Sequence, residues 1–251
     1  MYCILITGIP AAGKSEMARF LGRELGLPVL SKDRIKELLY DTVGFQSRAE
    51  KVRLGTASME IMYDMAEQLM ACRQAFILEN NFENASREGL TRILDRHGYQ
   101  AVTVLMTGDY PTLYRRFLER NRSPDRHRGH VANDRYPEGE RTAPPKDLSF
   151  EDFTGGIAAR GMDSFSVRGP RITVDTTDFA RVDRQAVLES IRGFLRACLK
   201  SSNKDGNEGK GEDLSRNKEF TLTVFPEPAE FVEPAEKTLY HPTARQHNKF
   251  M

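Results

Sequence analysis

Apolar residues follow two alternating patterns along the chain. Five short apolar runs, which read YCILIT, VL, AFILENNF, YQAVTVLMTG and RITVDTT, predict buried strands. Between them, apolar residues spaced three or four apart predict helices over 14–25, from about 49 to 73, and over 86–97, 111–121 and 182–199, with a further short helix after residue 31. This alternation predicts an α/β fold whose five-stranded, mainly parallel sheet is flanked by helices.

Two segments do not fit this alternation. Residues 122–147 are rich in proline, glycine and arginine and show little periodicity, which in a compact domain indicates either a functional loop or disorder. From residue 200 the chain becomes polar and glycine-rich, apart from FTLTVF, which can form one strand. We therefore expect one domain over 1–199, followed by a polar linker and a low-order tail over 200–251.

Composition and charge narrow the class of protein. The formal net charge is +1, so the whole molecule offers no global attraction for nucleic acid or an anionic membrane. Cys3, Cys72 and Cys198 are far apart in the sequence, which argues against a disulfide framework or a zinc site. The N-terminus leads straight into a strand, and no apolar run approaches the roughly 20 residues of a membrane span. We expect a cytoplasmic protein with no membrane partner.

The stretch GIPAAGKS, residues 8–15, lies between the first strand and the first helix. It meets the pattern G-x-x-x-x-G-K-[ST], in which glycines let backbone N–H groups point inward, Lys14 bridges β- and γ-phosphate oxygens, and Ser15 binds Mg²⁺. The alternative is a glycine-rich turn with an incidental lysine, but the position after a buried strand favours a nucleotide site. The residues assigned to it are Gly8, Ile9, Pro10, Ala11, Ala12, Gly13, Lys14, Ser15 and Glu16.

Polar residues also follow the second and third predicted strands. In a parallel sheet the carboxyl ends of the strands share one edge with the phosphate loop, so these residues become candidates for its chemistry. Asp33 can take the proton from an acceptor hydroxyl, or it can be a helix cap. Glu79 can bind Mg²⁺ through water, or it can mark the end of a buried strand. Asn81 can position the acceptor, or it can be a turn residue.

Three cations surround Asp33 in the sequence SKDRIKE. Lys32, Arg34 and Lys36 would lower the pKa of that carboxyl and can hold an anionic acceptor. The alternative is an ordinary solvated helix face.

The proline- and arginine-rich stretch carries a local excess of positive charge. Between Arg115 and Lys146 there are nine Lys or Arg residues and five Asp or Glu residues, an excess of +4. A lid over about 120–147 would close on a triphosphate, exclude water and stabilise the charge of the transition state. The alternatives are an RNA-binding arm and plain solvation; the single ring between Asn121 and Leu148, Tyr136, gives base stacking little support.

With these residues, the chain resembles the small P-loop kinases of the AAA_33 and zeta-toxin type, over about residues 1–199. The polynucleotide kinase branch of that group has a strand followed by G-x-P-x-x-G-K-S, then R-D-x-x-R, D-x-N, and K-R-N…R-G in the lid. This sequence has GIPAAGKS, KDRIK, ENN and ERNRSPDRHRG at the corresponding places. It departs from the pattern in having Glu79 for Asp and Lys36 for Arg, and in having a longer lid.

The resemblance implies a P-loop NTPase fold, ATP and Mg²⁺ as cofactors, and a role for several residues. Lys14 and Ser15 would bind phosphate and Mg²⁺, with Glu79 beside the metal; Asp33 would be the general base and Lys36 would contact the acceptor. The lid arginines would be Arg120 with Arg126 or Arg128, of which Arg120 and Arg128 are our choice as catalytic residues. The VDTT stretch at 174–177 is similar to the loop that approaches adenine in these kinases, so Asp175 and Thr176 are candidate nucleotide contacts.

Three functions follow from this pattern. The first is an ATP-dependent kinase that transfers the γ-phosphate to a hydroxyl of a small molecule or a nucleic-acid end, with no stable nucleic-acid complex. The second is a toxin-like or antibiotic-modifying kinase that acts on a nucleotide sugar or a drug. The third is a nucleotide-switch ATPase module that acts through a protein partner, for which the chain lacks a clear motor signature. The acceptor, the choice between ATP and GTP, and the oligomeric state stay open.

Overall fold

A computed structural model describes residues 1–139, 147–202 and 222–223 of the chain. Its centre is a parallel sheet. The strands are β1 (Tyr2–Gly8), β2 (Val29–Ser31), β3 (Phe76–Glu79), β4 (Gln100–Thr107), β5 (Arg171–Asp175) and the two-residue β6 (Leu222–Thr223). The tail predicted over 200–251 falls outside the described residues, except for 200–202 and 222–223.

The strands are arranged in the order β2-β3-β1-β4-β5-β6, and every pairing is parallel. The first five strands are the five predicted from the apolar runs. β6 adds two residues of the FTLTVF segment to the outer side of β5, where Ile172 lies opposite Leu222. Because all strands run the same way, their carboxyl ends lie at one edge, with β1 in the middle and β3 beside it.

Eight helices are found in the described residues. They are α1 (Lys14–Leu25), α2 (Lys32–Thr42), α3 (Arg48–Ala71), α4 (Asn84–His97), α5 (Tyr110–Arg122), α6 (Arg128–Val131), α7 (Phe150–Arg160) and α8 (Arg184–Ser202). Six match the predicted helices to within a few residues. The sequence pattern missed α6, which lies inside the proline- and arginine-rich stretch, and α7, which follows it.

Helices cover both faces of the sheet. Alternate residues of β1 point to opposite faces, so Ile4 and Ile6 join one apolar cluster while Cys3 and Leu5 join the other. The first cluster includes buried residues of α1, α5, α7 and α8, and the second includes those of α3 and α4. The strands β1, β3 and β4 therefore have apolar contacts on both faces, which hold their carboxyl ends in place.

Two properties expected from the sequence concern cysteines and membranes. Cys3 is buried in the core and Cys72 is exposed, and both are free thiols. Across the part of the chain that the structure describes, no helix is long and apolar enough to span a bilayer.

Candidate active site

The phosphate loop connects β1 to α1 and leads directly into the helix. The N-cap residue of α1, Gly13, has a left-handed backbone (φ 81°), and Ala11 in the loop also has a positive φ of 66°. At Gly8 a Cβ would lie 1.9 Å from the carbonyl oxygen of Met106 in β4, so only glycine fits there. The loop therefore has the tight path that aims backbone N–H groups at one point.

Lys14 curls back over this loop. Its Nζ donates hydrogen bonds to the carbonyl oxygens of Gly8 (3.2 Å) and Ile9 (2.7 Å). Burial lowers the pKa of Lys14 to about 8, although the carboxylates of Glu79 and Asp33 oppose that shift. A phosphate group at this position would stabilise the charged ammonium.

Glu79 ends β3 next to the phosphate loop and is buried. One carboxylate oxygen accepts a hydrogen bond from Ser15 Oγ (3.3 Å), and the other accepts one from Ser31 Oγ. Burial raises the pKa of Glu79, an effect that the hydrogen bond from Ser31 and the charge of Lys14 reduce. The structure thus brings together Ser15 and Glu79, the two predicted metal-site residues.

This oxygen pair fits Mg²⁺, which keeps several waters and binds through one or two protein oxygens together with phosphate oxygens. Among the described residues, no group of three or more His, Cys, Asp or Glu side chains could hold a metal ion without such help. A magnesium ion at Ser15 and Glu79 would therefore come with the nucleotide.

Asp33 lies in the first turn of α2, which follows β2, and β3 separates β2 from the strand that leads into the loop. Ser31 caps this helix by accepting a hydrogen bond from the Arg34 N–H, so Asp33 is not the cap that the sequence left open. Burial would raise the pKa of Asp33, but the positive charges of His130, Lys36, Arg126 and Lys32 outweigh it and hold the pKa below its ordinary value. Asp33 is thus a carboxylate among cations.

The other predicted acceptor residues differ in their surroundings. Lys36, one turn further along α2, is half-buried, with its Nζ 5.5 Å from the centre of the Tyr40 ring. Burial lowers the pKa of Lys36, and the charge of Asp33 opposes that shift. Arg34 is exposed, and Asn81 is half-buried two residues beyond β3.

The lid packs on α2 and α3. Lys51 of α3 is buried and donates hydrogen bonds to the carbonyl oxygens of His130 (2.9 Å) and Ala132 in the lid. Burial lowers the pKa of Lys51 to about 8. Tyr40, Phe45 and Ala132 form a small apolar cluster at this contact, beside half-buried Leu54 and Tyr136.

Two lid histidines complete this contact. The ring Nε2 of His130 lies 2.9 Å from a Glu37 carboxylate oxygen, and that of His127 lies 3.0 Å from Asp41. Tyr136 also donates a hydrogen bond to Asp41 (2.8 Å). The sequence analysis did not identify these residues, although the spacing of His127 and His130 was a signal that could have been noticed.

The lid arginines separate into two kinds. Arg128 makes a two-pronged ion pair with Glu138, at 3.0 and 3.1 Å, and the structure does not bring it to Asp33. Arg120 and Arg126 both interact electrostatically with Asp33. Two lid arginines, Arg120 and Arg128, were selected from the sequence. The structure places Arg120 in the site and Arg128 outside it, and Arg126 lies near Asp33 in place of Arg128.

Arg120 and Arg126 each have one buried donor atom without a hydrogen-bond partner among the residues that the structure describes. Within the described ranges, the Nε atoms of both are buried and have no hydrogen-bond acceptor. Burial and the neighbouring Arg126 lower the pKa of Arg120 to about 10. Buried donors without acceptors are costly in a folded protein and are expected where a ligand supplies the acceptor. An anionic ligand between these guanidinium groups and Lys14 fits both observations.

A cavity of about 170 Å³ opens beside the phosphate loop, between α1 and the segment after β5. Phe179 stands at its wall, 46% exposed, and the Arg116 guanidinium lies 3.9 Å from the centre of its ring. Arg116 donates hydrogen bonds to the carbonyl oxygens of Thr176 and Thr177. The residues that line the cavity are Gly13, Glu16, Met17, Met106, Thr176, Phe179, Val182 and Arg184.

This cavity has the chemistry of a nucleobase site, because its lining includes the Phe179 ring, the Arg184 guanidinium and apolar side chains. Of the two candidates at the end of β5, Thr176 lines it. Asp175 instead accepts hydrogen bonds from the backbone N–H (2.8 Å) and hydroxyl (2.6 Å) of Thr177. Arg116 and Phe179 were missed from the sequence, because one lies in a helix of many arginines and the other in a 3₁₀ helix of three residues, too short to show a pattern.

Comparisons with known proteins identify the family and support the fold. Residues 3–135 match the model of the AAA_33 family, described as an AAA domain. No curated protein matched the sequence. The crystal structure of a suspected kinase from Chloroflexus aurantiacus J-10-fl is similar, with 25% identity and a TM-score of 0.57, over 78% of this chain and 96% of that one.

Two further solved structures are more distant. A gluconokinase from Sinorhizobium meliloti 1021 shares 13% identity at a TM-score of 0.46, over 82% of this chain and 98% of its own. A shikimate kinase from Bacteroides thetaiotaomicron shares 12% identity at a TM-score of 0.43, over 78% and 98%. At these TM-scores neither structure bears on the function.

Proposed function

Because the chain belongs to the AAA_33 family and has the fold of the small P-loop kinases, we propose that it is an ATP-dependent kinase that phosphorylates a hydroxyl group. The observation that carries this proposal is the gathering of a carboxylate, Asp33, with the charges of Lys14, Arg120 and Arg126 at one edge of the sheet. A carboxylate at this place can activate an acceptor hydroxyl, and the cations around it can stabilise the charge of the transferred phosphate.

The phosphate loop and the cavity beside it form the donor side. The loop and Lys14 bind the phosphates, while Phe179 and Arg116 bind the base by stacking and cation–π contact. Ser15 and Glu79 hold Mg²⁺, which neutralises charge on the β- and γ-phosphates when it is bound. The base site, the phosphate loop and the metal site follow one another along the sheet edge. Together they direct the γ-phosphate toward Asp33.

Asp33 acts on the acceptor. Its low pKa keeps it ionised, so it orients the acceptor hydroxyl and takes the proton as the new P–O bond forms. The bond between the γ-phosphorus and the bridging oxygen breaks, and that electron pair leaves with ADP. Most of the rate then comes from positioning and charge, as in other phosphoryl transfers.

The lid supplies positive charge and excludes water. Arg120, in α5, interacts electrostatically with both Lys14 and Asp33. Its guanidinium can therefore stabilise the charge of the transferred phosphate. The contacts of His130, Lys51 and Tyr40 hold the lid against α2 and α3, which keeps water away from the reacting phosphate.

ADP release against a panel of acceptors tests this function. The panel contains sugars, hydroxy acids, aminoglycoside and phenicol antibiotics, nucleotide sugars and 5′-hydroxyl oligonucleotides. We expect slow ATP hydrolysis alone, a sharp rise with one acceptor class, and a phosphorylated product by mass spectrometry. Turnover that responds to a protein or polymer alone, and that Asp33→Asn leaves unchanged, would instead identify a switch ATPase.

A further inference from the structure

Three buried polar atoms near Asp33 have no hydrogen-bond partner among the described residues. They are Arg120 Nε, Arg126 Nε and the hydroxyl of Tyr40. The Tyr40 side chain is fully buried, and its hydroxyl interacts electrostatically with Asp33, Arg48 and Arg126. Three orphaned donors in one region indicate that a ligand supplies their acceptors.

The two arginines face different halves of the site. Arg120 shares electrostatic contacts with Lys14 and Glu79, which belong to the phosphate loop and the metal position. The electrostatic neighbours of Arg126 on α2 are instead Glu37 and Tyr40, and they include neither Lys14 nor Glu79. Since Asp33 contacts both, Arg120 lies on the donor side of the carboxylate and Arg126 on the acceptor side.

The acceptor side carries more positive charge than its own carboxylates balance. Lys36, Arg48, Lys51 and Arg126 are within electrostatic reach of one another. Their carboxylate neighbours are Asp33 and Glu37, and Glu37 is occupied by His130 at 2.9 Å. Lys51 is held by lid carbonyls and Arg48 by Asn133 (3.1 Å), which leaves Lys36 and Arg126 to meet a ligand.

The side chain of Lys36 is placed for this task. Its Nζ lies 5.5 Å from the centre of the Tyr40 ring and 3.8 Å from where a Cβ on Gly55 of α3 would be. The ammonium group therefore lies in the space between α2 and α3, near the ring of Tyr40. An oxyanion there can accept hydrogen bonds from an ammonium, a phenol and a guanidinium at once.

We propose that the acceptor carries an oxyanion, a phosphate or a carboxylate, in addition to the hydroxyl that receives the phosphoryl group. Lys36, the Tyr40 hydroxyl and Arg126 bind that oxyanion and place the hydroxyl beside Asp33. This inference rests on the proposed kinase function and specifies its acceptor class. A neutral sugar or a neutral drug can accept hydrogen bonds there but has no negative charge to pair with Lys36 and Arg126, so it would be a poor substrate.

Titration calorimetry with the donor site filled tests the oxyanion site directly. The full chain is saturated with Mg²⁺ and a non-hydrolysable ATP analogue, so that an added anion cannot take the γ-phosphate position. Inorganic phosphate and glycerate are then titrated separately, and their relative affinities distinguish a phosphate from a carboxylate. We expect saturable binding of at least one of them, and no binding of glycerol.

Variants assign that binding to the three donors. Arg126→Ala and Lys36→Ala should each weaken it by about tenfold or more, and Tyr40→Phe by a smaller factor. Arg122→Ala is the matched control, because Arg122 is an exposed lid arginine paired with Asp147. It should bind the anion as the wild type does, with unfolding temperatures compared for all variants.

The outcomes separate the two proposals. Failure of the ATP analogue to bind would overturn the kinase function and this inference with it. Analogue binding without saturable binding of either anion would overturn the oxyanion site alone, as would equal weakening by Arg122→Ala and Arg126→Ala. A turnover assay gives a second measure: glycerol in place of glycerate, and glucose in place of gluconate, should never be the better acceptor.

Discussion

Gly129 of the lid packs against the ring of Tyr40 in α2 so closely that a Cβ would lie 2.3 Å from Cδ2 of that ring. Gly129 is buried, and Tyr40 has no exposed surface. Any larger side chain must push the lid away from α2, because the Tyr40 ring is enclosed by Phe45, Ala132 and the lid histidines. The glycine is therefore required for the lid contact itself.

Replacement of Gly129 by alanine should loosen the lid. We expect a loss of about 1–3 kcal/mol from overpacking, with lower acceptor turnover and a smaller effect on nucleotide affinity. Thermal unfolding and steady-state kinetics measure the two effects. Gly155→Ala is the matched control: it lies inside α7, a Cβ there meets nothing within 4 Å, and the change should leave stability equal or higher.

Removal of the Asp33 charge should separate chemistry from binding. Asp33→Asn keeps the shape of the side chain but cannot take a proton, so kcat should fall by about 10²- to 10⁴-fold while nucleotide affinity changes little. Asp64→Asn, on the exposed side of α3, serves as control and should match the wild type. Equal kcat values for the Asp33 variant and this control would exclude Asp33 as the base.

Glu79 should determine the affinity for magnesium. Glu79→Gln keeps one acceptor oxygen for one of the two serines, presents an NH2 to the other and removes the charge, so the Mg²⁺ concentration for half-maximal activity should rise by about 10- to 100-fold. Nucleotide binding measured without metal should be affected far less. A Mg²⁺ requirement identical to that of the wild type would place the metal elsewhere.

Phe179 should act on nucleotide affinity alone. Its ring stacks with Arg116 at the wall of the cavity and touches neither Asp33 nor the lid, so Phe179→Ala should raise the KM for ATP by about 3- to 30-fold at nearly constant kcat. Leu148→Ala removes a side chain of similar exposure, 42%, away from this cavity and is the control. A change in kcat without a change in KM would argue against the base site.

Acid should weaken the contact between the lid and α2. Burial lowers the pKa of His130 below its ordinary 6.5, and the hydrogen bond from His130 lowers the pKa of Glu37 below its ordinary 4.5. Both groups therefore bind protons more readily in the unfolded chain. Their contributions to the free energy of unfolding are complete above the ordinary pKa values. These contributions are lost as the pH falls through the lowered pKa values of the folded protein.

Unfolding by urea at several pH values measures this loss. Stability should decline as the pH falls below about 6.5, the ordinary pKa of histidine, and His130→Gln should flatten that part of the profile. Asp33, Arg126 and Lys36 also face His130. The charge of Asp33 raises the pKa of His130, whereas the charges of Arg126 and Lys36 lower it. A variant profile parallel to that of the wild type would show that His130 does not titrate in this range.

The sequence was sufficient for the sheet and for the residues at its edge. Buried parallel strands appear as continuous apolar runs, so β1, β3 and β4 were identified with little ambiguity, and the rule that their carboxyl ends meet placed Asp33 and Glu79 near the phosphate loop. Those two assignments needed strand order alone. They did not depend on knowing where any side chain points.

The lid could not be resolved in the same way. Arg120, Arg126 and Arg128 are equivalent as sequence letters, and a stretch without periodicity gives no face on which to place them. Arg128 is drawn aside by Glu138, ten residues further on, and α6, which begins at Arg128, is too short to leave a pattern. Arg116, Phe179 and Tyr40 were missed because each acts through a contact distant in sequence.

Helix α2 carries both Asp33, the proposed base, and the contacts with the lid. Helical spacing relates Asp33 to the lid-contacting residues Glu37, Tyr40 and Asp41. The distance from the Asp33 carboxylate to the lid contacts is therefore set by the rise of the helix, about 1.5 Å per residue. Insertions within this helix would rotate the carboxylate away from the histidine contacts. Divergence of this enzyme toward new acceptors is therefore expected through substitutions on α3 and in the lid, while the length of α2 stays constant.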